Sequence, residues 1–233
     1  SALALAEHHG IEERDTLAAV ITGYEVMCKL GGGYVMGVGR SLQRRGLHPT
    51  SVVGRMGAAA VASVLMQLNE EQIGYALGVA ATTAGGLVGS FGTHGKPFHA
   101  GKAAMDGIMA AQLAADGFVS ATHLYELGEL DPSNATLCKK AAHSATLLDV
   151  FIQNHEVEPL PLNFDETWEI RTNAFKPFAS CRATQASAQA ARTLAVKIAG
   201  RAVKRVQFGV GERGTRSVVC WLGACSRRMR RPL

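Results

Sequence analysis

Aromatic side chains are scarce: Phe, Trp and Tyr make up 6% of the 233 residues, against 47% hydrophobic residues and 26 glycines. A core with few rings must be built from small residues, which favours closely packed helices. Long apolar runs are missing as well. No stretch approaches the roughly 18 uninterrupted apolar residues of a membrane span, so no membrane partner is expected. The opening SALALAEHHG has neither a basic n-region nor a secretory cleavage pattern. It reads as a helix entered midway, as expected of a fragment. Cysteine is sparse and odd in number: Cys28, Cys138, Cys181, Cys220 and Cys225 are scattered. That pattern fits a reducing cytoplasm better than a disulfide framework. The body also lacks an excess of either charge. Of 24 Lys+Arg and 19 Asp+Glu, the last 22 residues hold six arginines and Glu212, which leaves 18 of each sign in residues 1–211. The net +5 belongs to the tail, and the body carries no nucleic-acid footprint.

What is there is mostly helical periodicity. Residues 2–8 read as a helix closed by Gly10. Asp15 or Thr16 is placed to cap TLAAVITGYEVMCKL, which Gly31, Gly32 and Gly33 stop. Thr50 or Ser51 is expected to cap a helix running to about Leu68. Asn69 caps the next, with Glu70 and Glu71 in its first turn where the dipole favours acids. Another helix is expected over roughly 99–116. A short helix TLLDVFIQN follows, and Pro159 and Pro161 mark a linker. TWEIRTNAF alternates like a strand, KPFASC turns the chain, RATQASAQAARTLAVKIAG is an amphipathic helix, and KRVQFGVG reads as a second strand. The expected class is mainly α: an all-helical domain over 1–160, then the start of a smaller α+β lid over 161–211. The basic tail over 212–233 is read as disordered or aberrant. Its Cys220 and Cys225 are too far apart for a CxxC site and have no nearby histidine, so no metal is expected.

One stretch concentrates the chemistry. Residues 89–106, GSFGTHGKPFHAGKAAMD, interleave Gly89, Gly92, Gly95 and Gly101 with Thr93, His94, Lys96, Pro97, His99 and Lys102. Pro97 is expected to bias Lys96 away from helix. A glycine loop with two lysines and two histidines, joined to a helix N-terminus, suits an anionic substrate. It is no dinucleotide fingerprint, because it follows a helix rather than a strand.

Several blocks together resemble the MmgE/PrpD family, that of 2-methylcitrate dehydratase and cis-aconitate decarboxylase. They are ALALAE, DTLAAVITGYEV, RRGLHPTSVVGRMGAAAVAS, EEQIGYALGVAATTAGGL, GTHGKPFHAGKAAMDGIMAAQLAADGF and FKPFASC followed by a helix. They cover about residues 1–118 and 165–210, in the family's order. The resemblance implies a helical domain plus an α+β lid, a homodimer, and a cofactor-free site for a small polycarboxylate between the domains. By position, the family's functional histidine falls on His48, the KPxHAG lysine on Lys96 with His99 beside it, and the lid lysine on Lys176. Cys181 stands where the decarboxylase has a lid histidine, as in the dehydratase-like branch. The family's upstream Asp/Thr/His segment and most of its lid are absent, so the chain corresponds to about the middle half of such an enzyme.

Dehydrating a hydroxylated tricarboxylate needs a base for the proton beside a carboxylate, an acid for the departing hydroxide, and cations for the carboxylates. His48 suits the acid–base role at neutral pH, its alternative being a cap on the following helix. Lys96 and Lys176 suit carboxylate clamping. His99 either orients Lys96 or satisfies the helix start, and His94 and Thr93 are candidate pocket residues. Cys181 is either a base or proton relay at a helix N-terminus, or a small buried thiol. Arg182 either holds a carboxylate or lies on a solvated face, while Arg44, Arg45 and Arg55 are expected to be surface charges or dimer contacts. The expected activity is therefore a hydro-lyase. The alternatives are an isomerase, epimerase or decarboxylase on a related acid, and an inactive dimerising relative.

Overall fold

The computed structural model describes residues 1–31, 38–122, 124, 146–147, 150, 167–199 and 201. The chain divides into two compact units, Ser1–Thr172 and Asn173–Leu233. Both are helical where described, so the mainly-α expectation holds, and no strand is present among the described residues.

In the first unit, α1 (Ala2–His9) ends at Gly10, whose left-handed backbone at φ 65° returns its N–H to the carbonyl of Ala6. Helix α2 (Glu13–Gly31) carries Glu13 and Asp15 in its first turn. It begins before Asp15, which is therefore inside the helix and not its cap. After α3 (Val38–Arg44) comes α4 (Pro49–Leu65), with His48 as N-cap. The expected caps Thr50 and Ser51 lie inside α4, because Pro49 at the first helical position has its φ already set and no N–H to satisfy. Helix α4 stops at Leu65, short of Leu68. Helix α5 (Glu70–Thr82) opens on a reciprocal cap: Asn69 Oδ1 accepts the Gln72 N–H at 2.9 Å, and Gln72 Oε1 accepts the Asn69 N–H at 3.1 Å. Helix α6 (Gly95–Ala115) starts earlier than the expected residue 99.

The scarcity of rings is answered by close helix contacts. A Cβ on Gly23 of α2 would lie 2.6 Å from the carbonyl oxygen of Gly57 in α4. One on Gly107 of α6 would lie 2.5 Å from the backbone nitrogen of Ala59. Buried alanines from α4, α5 and α6, with Leu42, Val52, Met56 and Val79, fill the remaining space. Gly54 and Gly107 meet Ala103 and Ala58 respectively, so α4 and α6 run in the same direction with their N-termini at one end.

Residues 167–175 do not form the expected strand. Glu169–Thr172 is a 3-10 turn, because the buried Glu25 carboxylate accepts the N–H groups of both Glu169 and Ile170 at 2.9 Å. Those two donors point the same way, which an extended strand does not allow. The second unit has a bend at 177–180, a 3-10 turn at Arg182–Thr184, and helix α7 (Gln185–Ile198) where an amphipathic helix is expected. The strand expected at KRVQFGVG, most of the helix expected at TLLDVFIQN (all but residues 146–147 and 150), the linker prolines and the arginine tail lie outside the described residues.

Candidate active site

The segment before α4 and the glycine-rich segment before α6 are strapped together. Leu47 and Leu87 form an antiparallel bridge, the Val88 N–H donates to the Gly46 carbonyl at 2.7 Å, and the His48 N–H donates to the Gly86 carbonyl at 2.9 Å. Gly86 adopts φ +125°, and a Cβ there would fall 2.5 Å from Ser51 Oγ, so both its backbone and its lack of a side chain are required. The strap delivers His48 to the shared N-terminal end of α4 and α6, where two helix dipoles favour negative charge.

His48, 8% exposed, makes no capping bond with its side chain. Its Nδ1 lies 3.1 Å from Nδ1 of His99, one turn into α6. His48 therefore holds the N-cap position of α4 through its backbone alone, and its ring partners that of His99. With both rings neutral, a single N–H lies between the two Nδ1 atoms. One ring therefore keeps a free lone pair on Nε2 while the other presents Nε2–H. The pair thus combines one base and one donor. Burial, then the neighbouring charges of His99 and Lys96, pushes the His48 pKa below the usual imidazole value, so at neutral pH its ring is a free base. Phe91 meets the His48 ring edge-on at 4.8 Å between centroids. Lys96 Nζ stands over the Phe91 ring, 4.6 Å from its centroid, and the lysine is half-buried.

Lys96 and Pro97 are helical, against the expectation that Pro97 biases Lys96 away from helix. Pro97 is the third residue of α6, where its missing N–H would have had no helical partner. The Thr93 hydroxyl donates to the Ser90 carbonyl at 2.7 Å and accepts the Gly95 N–H at 3.0 Å, so it builds the turn that starts α6. His94 is the exposed N-cap of that helix, without a side-chain cap bond.

Below the histidines lies a network that sequence reasoning missed. Arg55, expected at the surface, is 6% exposed, and its Nε donates to Asp106 Oδ2 at 2.8 Å. Its Nη1 donates to the Ser51 carbonyl, to Ser51 Oγ at 3.1 Å and to the Gly85 carbonyl at 3.0 Å. Lys102 pairs with the other oxygen of Asp106. Burial alone would raise the Asp106 pKa, but the hydrogen bonds and charges of Lys102 and Arg55 outweigh it and hold the carboxyl below its ordinary value. The available signal was helical spacing. His48, Ser51 and Arg55 step by three and four along α4, as His99, Lys102 and Asp106 do along α6. Once the face that carries Asp106 is buried, its charge needs a partner.

Lys176, Cys181 and Arg182 belong to the second unit and are exposed within it. Cys181 is a free, exposed thiol and not a buried one. The turn that carries it is held by Gln185, whose Nε2 donates to the Phe178 and Ser180 carbonyls at 3.1 Å while its Oε1 accepts the Phe178 N–H at 3.1 Å. Among the described residues no group of three or more His, Cys, Asp or Glu side chains is placed to hold a metal ion. No described helix is long and apolar enough to cross a membrane.

Comparison with known proteins gives a consistent family. Residues 1–130 match the MmgE/PrpD N-terminal domain. The chain is 30% identical over 179 residues to a cis-aconitate decarboxylase of Mus musculus, a match covering 76% of this chain and 33% of that protein. It is 45% identical over 67 residues to the Homo sapiens cis-aconitate decarboxylase, covering 29% of this chain and 14% of the relative. A cis-aconitate decarboxylase-like protein of Aspergillus oryzae is 34% identical over 114 residues, covering 48% and 23%. The aligned part of the mouse enzyme is thus about a third of its length. With the family's domain matched across more than half of its residues, this chain belongs to the MmgE/PrpD family.

Proposed function

We propose that the chain carries the acid–base half of a lyase site for a small polycarboxylate, and that its first reaction is dehydration of a hydroxylated tricarboxylate of the 2-methylcitrate type. The observation that carries this reading is the His48–His99 pair, 3.1 Å apart at the head of two parallel helices. The free lone pair of the imidazole pair takes the proton from carbon beside a substrate carboxylate. The released electron pair forms the new double bond, and the hydroxyl on the neighbouring carbon leaves as water after accepting the Nε2 proton of the other ring. Lys96 neutralises a substrate carboxylate as charge builds on it. Lys176, Cys181 and Arg182 complete the proposal as residues contributed by the second unit, together with a second copy of the chain as dimer partner. They rest on the family resemblance.

A second reading is decarboxylation, favoured by the names of the relatives in mouse, human and Aspergillus oryzae. There the carbon dioxide leaves first, and the carbanion it abandons needs a proton. By the family resemblance, Cys181 stands where the decarboxylase has a lid histidine, and for that reason dehydration is placed first.

The test is incubation with 2-methylcitrate, citrate and cis-aconitate, following absorbance of the new double bond and release of carbon dioxide. Double-bond formation without carbon dioxide supports the first reading, and carbon dioxide from cis-aconitate supports the second. In either case His48→Gln should lose about 10²–10⁴-fold in kcat. No turnover of any of the three by the unaltered chain overturns both readings for this chain.

A further inference from the structure

The histidine pair is held by contacts that none of the proposed chemistry uses. His48 is fixed at its backbone by the Gly86 carbonyl, at 2.9 Å. Gly86 lies at φ +125°, with the Ser51 side chain occupying the space its Cβ would take and His99 Cε1 at ordinary contact distance from that point, 3.5 Å. The residue before it, Gly85, gives its carbonyl to Arg55 Nη1 at 3.0 Å, and the same nitrogen donates to Ser51 Oγ at 3.1 Å. One buried guanidinium therefore grips both the turn that fixes the His48 backbone and the hydroxyl that fits under that turn. Asp106, 2% exposed, fixes the guanidinium through Nε and is itself held by Lys102. The two contacts between α4 and α6 are in register: His48 meets His99, and seven residues further along each helix Arg55 meets Asp106.

We propose that Arg55, locked by Asp106, is a positioning residue for the His48–His99 pair and acts through the Gly85–Gly86 turn. Arg55 touches neither imidazole. Its part is to keep the turn closed over Ser51, which keeps the His48 ring buried and its Nδ1 against that of His99. Among the described residues, the charges acting on His48 are those of His99 and Lys96, both on α6, and Arg55→Lys changes neither. The inference rests on reading that pair as the acid–base group. It concerns geometry, however, and is tested without substrate.

The experiment follows the ring protons of His48 and His99 by NMR through a pH titration of the full 233-residue chain. Arg55→Lys keeps a cation against Asp106 but cannot span to Gly85. Gly86→Ala attacks the same turn from its other end. Both should expose His48 to water and move its midpoint upward by about half a unit or more toward the free value. Asn69→Ala, which weakens a helix cap elsewhere, should leave the His48 midpoint in place. An unchanged His48 midpoint in either folded variant overturns the proposal, as does an equal shift in Asn69→Ala. If neither turn variant folds, the unaltered chain decides. The Arg55 Nε–H resonance should move through the same pH interval as His48, and a resonance flat across that interval overturns the coupling. Failure of the turnover assay with a positive titration result would discard the lyase reading alone.

Discussion

His48 joins local backbone structure, burial and chemistry in one residue, and its depressed pKa makes a stability prediction with a definite sign. Unfolded, the ring returns to about 6.5. Between that value and its lower folded value, the unfolded chain binds more protons than the native one, so stability rises with pH across this window. The loss begins as pH falls below about 6.5 and is complete below the folded value. Thermal melts from pH 5 to 7.5 should show Tm rising with pH, with a shallower slope in His48→Gln. Equal slopes in the two proteins would show that His48 is not the group responsible. Asp106 acts in a lower window. Its folded pKa lies below 3.8, so its contribution persists at mildly acid pH and disappears as pH drops through that folded value.

At the scale of elements, glycine has opposite meanings within one helix. Gly107 of α6 faces the backbone of Ala58 and Ala59, whereas a Cβ on Gly101, two turns earlier, would meet nothing within 4 Å. Gly107→Ala must separate α6 from α4 and should cost about 1–3 kcal/mol, as overpacking does. Gly101→Ala relieves the entropic cost of an exposed helical glycine and should gain about 0.5–1 kcal/mol. Urea unfolding of the two variants measures both. A cost at Gly101 matching that at Gly107 would mean the helix itself, and not its crossing with α4, resists the change. The same crossing sets the spacing at which His48 and His99 meet, so packing and candidate chemistry share one interface.

At the scale of the whole molecule, Glu25 ties sequence-distant segments. From the middle of α2 it caps the turn at Glu169–Thr172, immediately before the second unit begins at Asn173. Glu25 is 2% exposed and each of its carboxylate oxygens accepts one backbone N–H, so Glu25→Ala leaves both of those N–H groups without a partner. Amide exchange at Glu169 and Ile170 should accelerate by about tenfold or more while exchange in α4 stays slow. Unaltered exchange at those two amides would show that the turn stands without Glu25.

The sequence by itself determined the helical class, the end of α1 at Gly10, the cap at Asn69 and the concentration of polar side chains in residues 89–106. These are local matters: periodicity, a left-handed glycine and a side chain reaching its own next turn depend on neighbours within about four residues. The blocks from ALALAE to FKPFASC also carried the family. Only the tertiary structure decided that TWEIRTNAF is not a strand, because its partner Glu25 lies 144 residues away. It alone placed Arg55 inside and not at the surface, and joined His48 to His99 across 51 residues. Spacing of three and four marks a face of a helix but not what that face meets. Whether a charge is solvated or buried and paired is settled only where α4 and α6 cross, and that crossing is made possible by the small residues between them.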